Sequence, residues 1–429
     1  MIVPFVLTLA SYRDVPYLWF FYKWLMECKK YGWPMIAQEQ YFYPIRKHIA
    51  SGYAEAFDVN KTARFGYKPP KSHDLNEVRH YPIPEEIFTE LEKKIGTRYE
   101  TCCSILTEYY EPLGDLIEKY IGDIESSYSE KIEAFVVLQH NPTLQSIADK
   151  HGIPVIHFEW GPFRPPMYLQ TMYFDTKNLH CGCSVMERYE RFKTEFKGKR
   201  LFTNKELLAL MLLENNLGYV KKVNKKPKYK VGLALGYMVE EIYTCRRFYT
   251  DMELVYQARK HFARRDIAIR KHPGDPYGAQ YKTYLDMVKE DGNVVDFILS
   301  CESIATVGSN VAIEAMYYGR GAYVIAPVSS HYAAAHSFDE AAKCADESFL
   351  NFFALCYLAP FDFMTDIEYI RWRLGDPSET EIFKKHLEYY MSLKGIPMSV
   401  LEEGEGKRLR SMMKIQLDNA AKSDEDELK

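Results

Sequence analysis

The chain has 429 residues, 47% of them hydrophobic and 15% aromatic, with 55 Lys and Arg against 59 Asp and Glu for a net charge of −4. That length exceeds one ordinary core and fits two domains with a ligand cleft between them. The near balance of charge excludes a global field for nucleic acid, and no run reaches the roughly 18 apolar residues that span a bilayer, so any membrane contact is peripheral.

Nine cysteines lie at 28, 102, 103, 181, 183, 245, 301, 344 and 356. An odd, scattered set is expected to be reduced thiols in a cytoplasmic protein, and Cys181-x-Cys183 lacks the second pair or histidine that zinc asks for.

In chain order, Met1 to Leu9 reads as a first strand, because it lacks the basic leader and cleavage site of a signal peptide and Arg13-Asp14 follow at once. Val15 to Lys30 has helical apolar spacing with Tyr17, Trp19, Phe20, Phe21, Tyr22 and Trp24. It is either a core helix or an aromatic lip that stacks sugars or rests on a membrane. Pro84 to about Ile124 reads as helical, with Glu85 and Glu86 in the first turn that acids favour.

Ala134 to Leu138 is then a buried parallel strand. Asn141-Pro142 opens a helix with a cap and a first-turn proline, Gly152 closes it, and Val155 to Phe158 is the next strand. Glu159-Trp-Gly-Pro-Phe-Arg164 therefore falls at a carboxyl edge, where open sheets keep ligands. Six lysines crowd Lys221 to Lys230 around a proline, which reads as a solvated interdomain linker or, failing that, a membrane-surface patch.

The second half alternates strand and helix: strand Val231–Leu235, helix Phe248–Arg264, strand Ile267–Arg270, helix Tyr277–Lys289, strand Val294–Val295, strand Ser303–Val307, helix Ala312–Tyr318 and strand Ala322–Ala326. Such alternation implies an α/β, doubly wound parallel sheet. Beyond Ala359 the chain reads as helical, with a charged tail from Ser423. The domains expected are 1–225 for an acceptor, 226–358 for a nucleotide, and 359–422 as helices packing back on the first, followed by the tail 423–429.

Two motifs carry the chemistry. Ile267 to Pro276 delivers a basic loop holding Lys271, His272 and Pro273, and a cation or donor at that edge can bind a phosphate and stabilise it as a leaving group. Gly308-Ser309-Asn310 opens a helix bearing Glu314, so its N–H groups and the Ser309 hydroxyl can hold a phosphate while Glu314 takes ribose hydroxyls; otherwise Glu314 is an exposed acid on a capped helix. Gly-x-Gly-x-x-Gly and the P-loop are absent, which argues against a dinucleotide enzyme or NTPase. No Asp-x-Asp stands at a strand end to carry a metal for a diphosphate sugar, which favours a one-phosphate donor, a CMP-sugar, and no metal site. Glu159 and the pair Glu240, Glu241 are the acids available for sugar chemistry, one as acid/base and one as nucleophile.

Read in order, these residues resemble the GT-B glycosyltransferases that use CMP-Kdo, in particular the retaining β-Kdo transferases of bacterial lipopolysaccharide O-antigen and capsule assembly. The resemblance rests on Glu159 in Phe-Glu-Trp-Gly-Pro-Phe-Arg, on the strand-end acid, on His272-Pro273 and on Gly-Ser-Asn-x-x-x-Glu-Ala, over about Ala134 to Pro327. It implies two Rossmann-like domains facing a central cleft, a CMP-Kdo donor and no further cofactor. The implied partners are an oligosaccharide or lipid-linked acceptor, met at the inner face of the bacterial inner membrane.

By the same resemblance, Lys271, His272, Ser309 and Asn310 hold the donor phosphate and Glu314 the ribose or base. Glu240 attacks the anomeric carbon, with Glu241 beside it, and Glu159 activates the acceptor. Arg164 or Lys271 meets the Kdo carboxylate. The family places an aspartate where this chain has Gly236-Tyr-Met-Val-Glu240. The alternatives are an inverting sialyltransferase-like or UDP-sugar transferase, and a non-catalytic binder of sugar nucleotides. Lys407 to Ile415, basic and apolar, is either a membrane-touching segment or an ordinary surface helix.

Overall fold

The computed structural model describes residues 1–7, 15–138, 140–179, 182–236, 250–272, 288–289, 292–404 and 406–427. The chain divides into two compact units, one of residues 1–159, 175–179 and 365–370, the other of 160–174, 180–364 and 371–429.

The first unit is built on five parallel strands, β1 (Ile2–Val6), β2 (Met35–Gln38), β3 (His80–Ile83), β4 (Ala134–Leu138) and β5 (Val155–Trp160), in the order β3-β2-β1-β4-β5. β1 and β4 are buried at every position, as strands covered by helices on both faces must be. Helix Leu18–Tyr31 buries Trp19, Phe20, Phe21, Tyr22 and Trp24, so it is a core helix and not an aromatic lip. The stretch expected as one helical region is three helices, Glu85–Ile95, Arg98–Thr107 and Glu111–Tyr128. Gly96, with φ near 105°, ends the first of them. Helix Pro142–His151 has the expected ends: the Asn141 side chain accepts from the Leu144 N–H at 2.8 Å, and Gly152 is left-handed.

The second unit holds β6 (Thr171–Asp175) apart from its last residue, Asp175, together with β7 (Tyr229–Ala234), β8 (Ile267–Arg270), β9 (Val288–Lys289), β10 (Cys301–Thr306), β11 (Gly321–Val324) and β12 (Leu358–Pro360). Five of these form a parallel sheet in the order β11-β10-β7-β8-β9, while β12 pairs antiparallel with β6. Gly232 lets β7 pass under its neighbours, because a Cβ there would lie 2.6 Å from Cys301 Sγ and 2.8 Å from the Phe297 ring.

Two expectations fail here. Val294 and Val295 open a helix, Val294–Ser300, because the Asn293 side chain accepts from the Asp296 N–H at 2.8 Å and caps it; the β-branched pair had read as a strand. The strand instead comes earlier, where Val288 and Lys289 pair with β8 at the end of the expected helix 277–289, whose residues 277–287 lie outside the described ones. The last helix, Lys407–Glu427, also runs into the expected tail.

In the second unit this helix packs on helix Asn204–Met211. Arg408 makes a bidentate pair with Glu206 at 2.6 Å, and Met412 and Gln416 are buried on the same face. The apolar side of 407–415 thus faces protein, as in an ordinary helix. Among the described residues no helix is long and apolar enough to cross a membrane. Among the described residues Cys28, Cys102, Cys183, Cys301 and Cys356 are buried thiols and Cys344 is an exposed one, whereas Cys103 is disulfide-bonded, against the expectation of reduced thiols throughout.

Candidate functional site

Both parallel sheets wind alike. In each, the first strand lies at the centre, the next two extend to one side and the last two to the other, so each has one point where the winding reverses: β1/β4 in the first unit and β7/β10 in the second. Ligands of open α/β sheets bind at the carboxyl ends flanking such a point.

In the second unit the sequence delivers Gly308-Ser309-Asn310 there, directly after β10. Thr306 Oγ1 accepts from the Ser309 N–H at 3.0 Å, and Ser309 Oγ accepts from the Val311 N–H at 3.4 Å, which fixes the turn into helix Val311–Tyr317. Asn310 is held on both sides of its amide: its Oδ1 accepts from the Tyr173 hydroxyl at 2.7 Å, and its Nδ2 donates to the Trp160 carbonyl at 3.1 Å. Trp160 in turn stacks on Phe361 at 5.4 Å. The Trp-Gly-Pro-Phe-Arg segment and the Gly-Ser-Asn loop, 150 positions apart in the chain, therefore form one structure.

Glu314 sits one turn into that helix and is buried, not an exposed acid. Burial pushes its carboxyl up to about 7, against the opposing pull of Arg164, the Tyr168 hydroxyl and Arg270. Its Oε2 has no hydrogen-bond partner among the described residues. Tyr168 and Tyr318 join hydroxyls at 3.1 Å beside it, and burial raises both phenols. Neither tyrosine is visible to motif reasoning, since each reads as an ordinary core aromatic.

His272 and Lys271 follow β8, with His272 half-buried and Lys271 exposed. They share the carboxyl edge with Ser309, and β7 runs between the two strands. β7 leads into residues 237–249, so Glu240 and Glu241 lie outside the described residues, as does Pro273. The two ends of that segment are tied, with the Gly236 N–H donating to Asp251 Oδ2 at 2.9 Å. Arg164 belongs to the second unit, and its charge acts on Glu314. Glu159 is half-buried on β5 in the first unit.

Among the described residues His73, Asp74 and Glu77 have metal-ligand spacing. The Lys29 ammonium already stands there, 2.6 Å from Asp74 and 3.1 Å from Glu77, so a lysine takes the place of a cation.

Comparison with known proteins finds a partial family match. Residues 6–182 match the glycosyltransferase 99 family N-terminal domain. No curated protein matches the chain. Among solved structures it is similar to two from Thermosulfurimonas dismutans. The KpsC β-Kdo 2,7 transferase is 14% identical over 56% of this chain and 81% of that one, with a TM-score of 0.38. The KpsC β-Kdo 2,4 transferase is 14% identical over 60% and 95%, with a TM-score of 0.33. The Methanocaldococcus jannaschii UDP-GlcNAc 2-epimerase is also 14% identical, over 76% and 84%, with a TM-score of 0.31. At such scores the superpositions assign no residue and no substrate. The match to the glycosyltransferase 99 family N-terminal domain covers residues 6–182 of the 429, and each unit holds a Rossmann-like parallel sheet.

Proposed function

We propose that this chain is a glycosyltransferase that moves a Kdo residue from CMP-Kdo to a glycan acceptor in lipopolysaccharide or capsule assembly, with retention through two displacements. The observation that carries the reading is the site at the β7/β10 reversal. There a buried carboxyl with an unpartnered oxygen, Glu314, backs a Ser-Asn turn at a sheet edge shared with His272.

In this reading the second unit takes the nucleotide. His272 and Ser309 hold the single phosphate, and Glu314 accepts from ribose hydroxyls or the base. Lys271, exposed at the edge, meets the Kdo carboxylate more readily than Arg164, whose charge is engaged with Glu314. Glu240 attacks the anomeric carbon as the C–O bond to CMP breaks and the electron pair leaves on the phosphate. An acid/base group then takes the acceptor proton as the acceptor oxygen displaces Glu240; from the sequence that group is Glu159. A donor with one phosphate needs no metal to neutralise a diphosphate. The work takes place in the cytoplasm, at the inner face of the bacterial inner membrane where lipid-linked acceptors are made.

The test is nucleotide release by purified protein supplied with an acceptor and with CMP-Kdo, CMP-sialic acid or UDP-sugars in turn. Turnover with CMP-Kdo is expected; turnover of a UDP-sugar without CMP-Kdo overturns the donor assignment. Intact-mass detection of a sugar adduct on the enzyme, lost in Glu240→Gln, checks retention.

A further inference from the structure

Residues 44–71 of the first unit lie between β2 and β3 and hold helix Ile45–Ala50, the turn Ala54–Ala56 and helix Val59–Phe65. Their inner side is fixed to the core helix Leu18–Tyr31. The buried Phe65 ring lies 5.1 Å from Trp19 and the Tyr67 ring 6.0 Å from Tyr22, while the Tyr22 hydroxyl meets Nδ1 of buried His48 at 3.0 Å. Both short helices pack on the turn, so the segment is compact.

Its outer side is apolar where a surface is ordinarily polar. Ile49 is 46% exposed, Phe57 55% and Val59 74%, so three of the eleven large apolar side chains exposed among the described residues fall between positions 49 and 59. Single exposed apolar residues are ordinary, but a group of them marks an interaction surface. The charge around them is uneven as well. Arg46, Lys47, Lys61, Arg64, Lys68 and Lys71 stand against Glu55 and Asp58, a net +4 in a chain whose total is −4. Both acids are engaged locally, Glu55 with Lys61 at 3.0 Å and Asp58 Oδ1 with the Asn60 N–H at 2.8 Å. Arg46, Lys47, Arg64, Lys68 and Lys71 are exposed.

We propose that residues 44–71 are a docking surface for an anionic phospholipid bilayer, with Ile49, Phe57 and Val59 entering the headgroup layer and the exposed cations meeting lipid phosphates. Apolar groups that bury at the acyl boundary while cations stay at the phosphates make an interfacial contact, and the excess positive charge selects an anionic bilayer over a neutral one. The surface goes beyond the donor and acceptor assignments and depends on neither, since lipid binding needs no sugar nucleotide.

The test is co-sedimentation of the full chain with vesicles. Binding is expected to phosphatidylethanolamine vesicles containing about a third phosphatidylglycerol at about 0.1 M salt, with most protein released at about 0.5 M and little bound to pure phosphatidylcholine. Arg46→Gln, Lys47→Gln, Lys68→Gln and Lys71→Gln together should weaken partitioning by about 10²–10³-fold, on the order of fivefold per cation. Phe57→Ser with Val59→Ser should weaken it by about tenfold or more. These side chains are exposed, so circular dichroism should show both variants folded. In the unaltered protein, hydrogen exchange within residues 44–71 should slow when anionic vesicles are added. Failure to sediment with those vesicles overturns the proposal, as does wild-type partitioning by the folded variants or protection confined to other segments. Protection of 44–71 that grows with protein concentration in the absence of lipid, with no vesicle binding, assigns the surface to a second copy of the chain and overturns the lipid assignment. If vesicles are bound while no sugar nucleotide is turned over, the glycosyltransferase reading fails and the docking surface stands.

Discussion

Asn310 Oδ1 accepts a hydrogen bond from the Tyr173 hydroxyl at 2.7 Å while the nitrogen of the same amide is committed to the Trp160 carbonyl. The asparagine of the Gly-Ser-Asn motif therefore shapes the loop. Asn310→Ala should cost about 1–3 kcal/mol, the usual penalty for stranding buried polar partners, and should also raise donor KM. Asn310→Asp should not restore the loss, because a carboxylate gives no N–H to Trp160. Urea unfolding and donor titration check both.

Glu314 makes stability fall as pH rises. Its folded carboxyl is held up to about 7 by burial, whereas the unfolded one titrates near the ordinary 4.5. Between these values the folded state binds more protons, so the penalty is absent below about 4.5, grows through that window and is complete above about 7. Glu314→Gln should therefore unfold like wild type near pH 4.5 and be more stable above pH 7, by up to about 3 kcal/mol for a shift of this size. The measurement is urea unfolding at several pH values; a difference independent of pH would contradict it.

Arg408 and Glu206 form a buried bidentate pair joining the last helix to helix Asn204–Met211. Arg408→Ala should destabilise by about 3–5 kcal/mol, since it leaves a buried carboxylate without its partner. Replacing both residues by Leu and Met should recover much of the loss. Thermal unfolding of the single and double variants checks this.

His272→Ala should remain folded, because the ring is half-buried at a strand end, and should lose about 10²–10³-fold in kcat if the ring stabilises the departing phosphate. Circular dichroism and nucleotide release together decide it.

Much of the fold was legible because strands buried on both faces and helices with side-chain caps write their signatures locally. Ile267–Arg270 appears where expected, and Asn141 and Gly152 bound their helix as expected. Val294-Val295 misled because strand propensity is weak beside one good cap. Of the site, the sequence placed Ser309, Asn310 and His272 on one sheet edge, since parallel alternation leaves few other arrangements. It did not show that Tyr168 meets Tyr318, that His140 meets His157, or that His157 meets the Asp175 carbonyl. Those partnerships depend on which strands become neighbours, and no local spacing encodes that.

The repeated winding order has a consequence for how such a chain can change. Each reversal point is built from its own loops, so substitutions after the seventh and tenth strands leave the loops after the first and fourth unaltered. The two edges can thus drift separately inside one polypeptide, as happens when a common scaffold comes to host many functions.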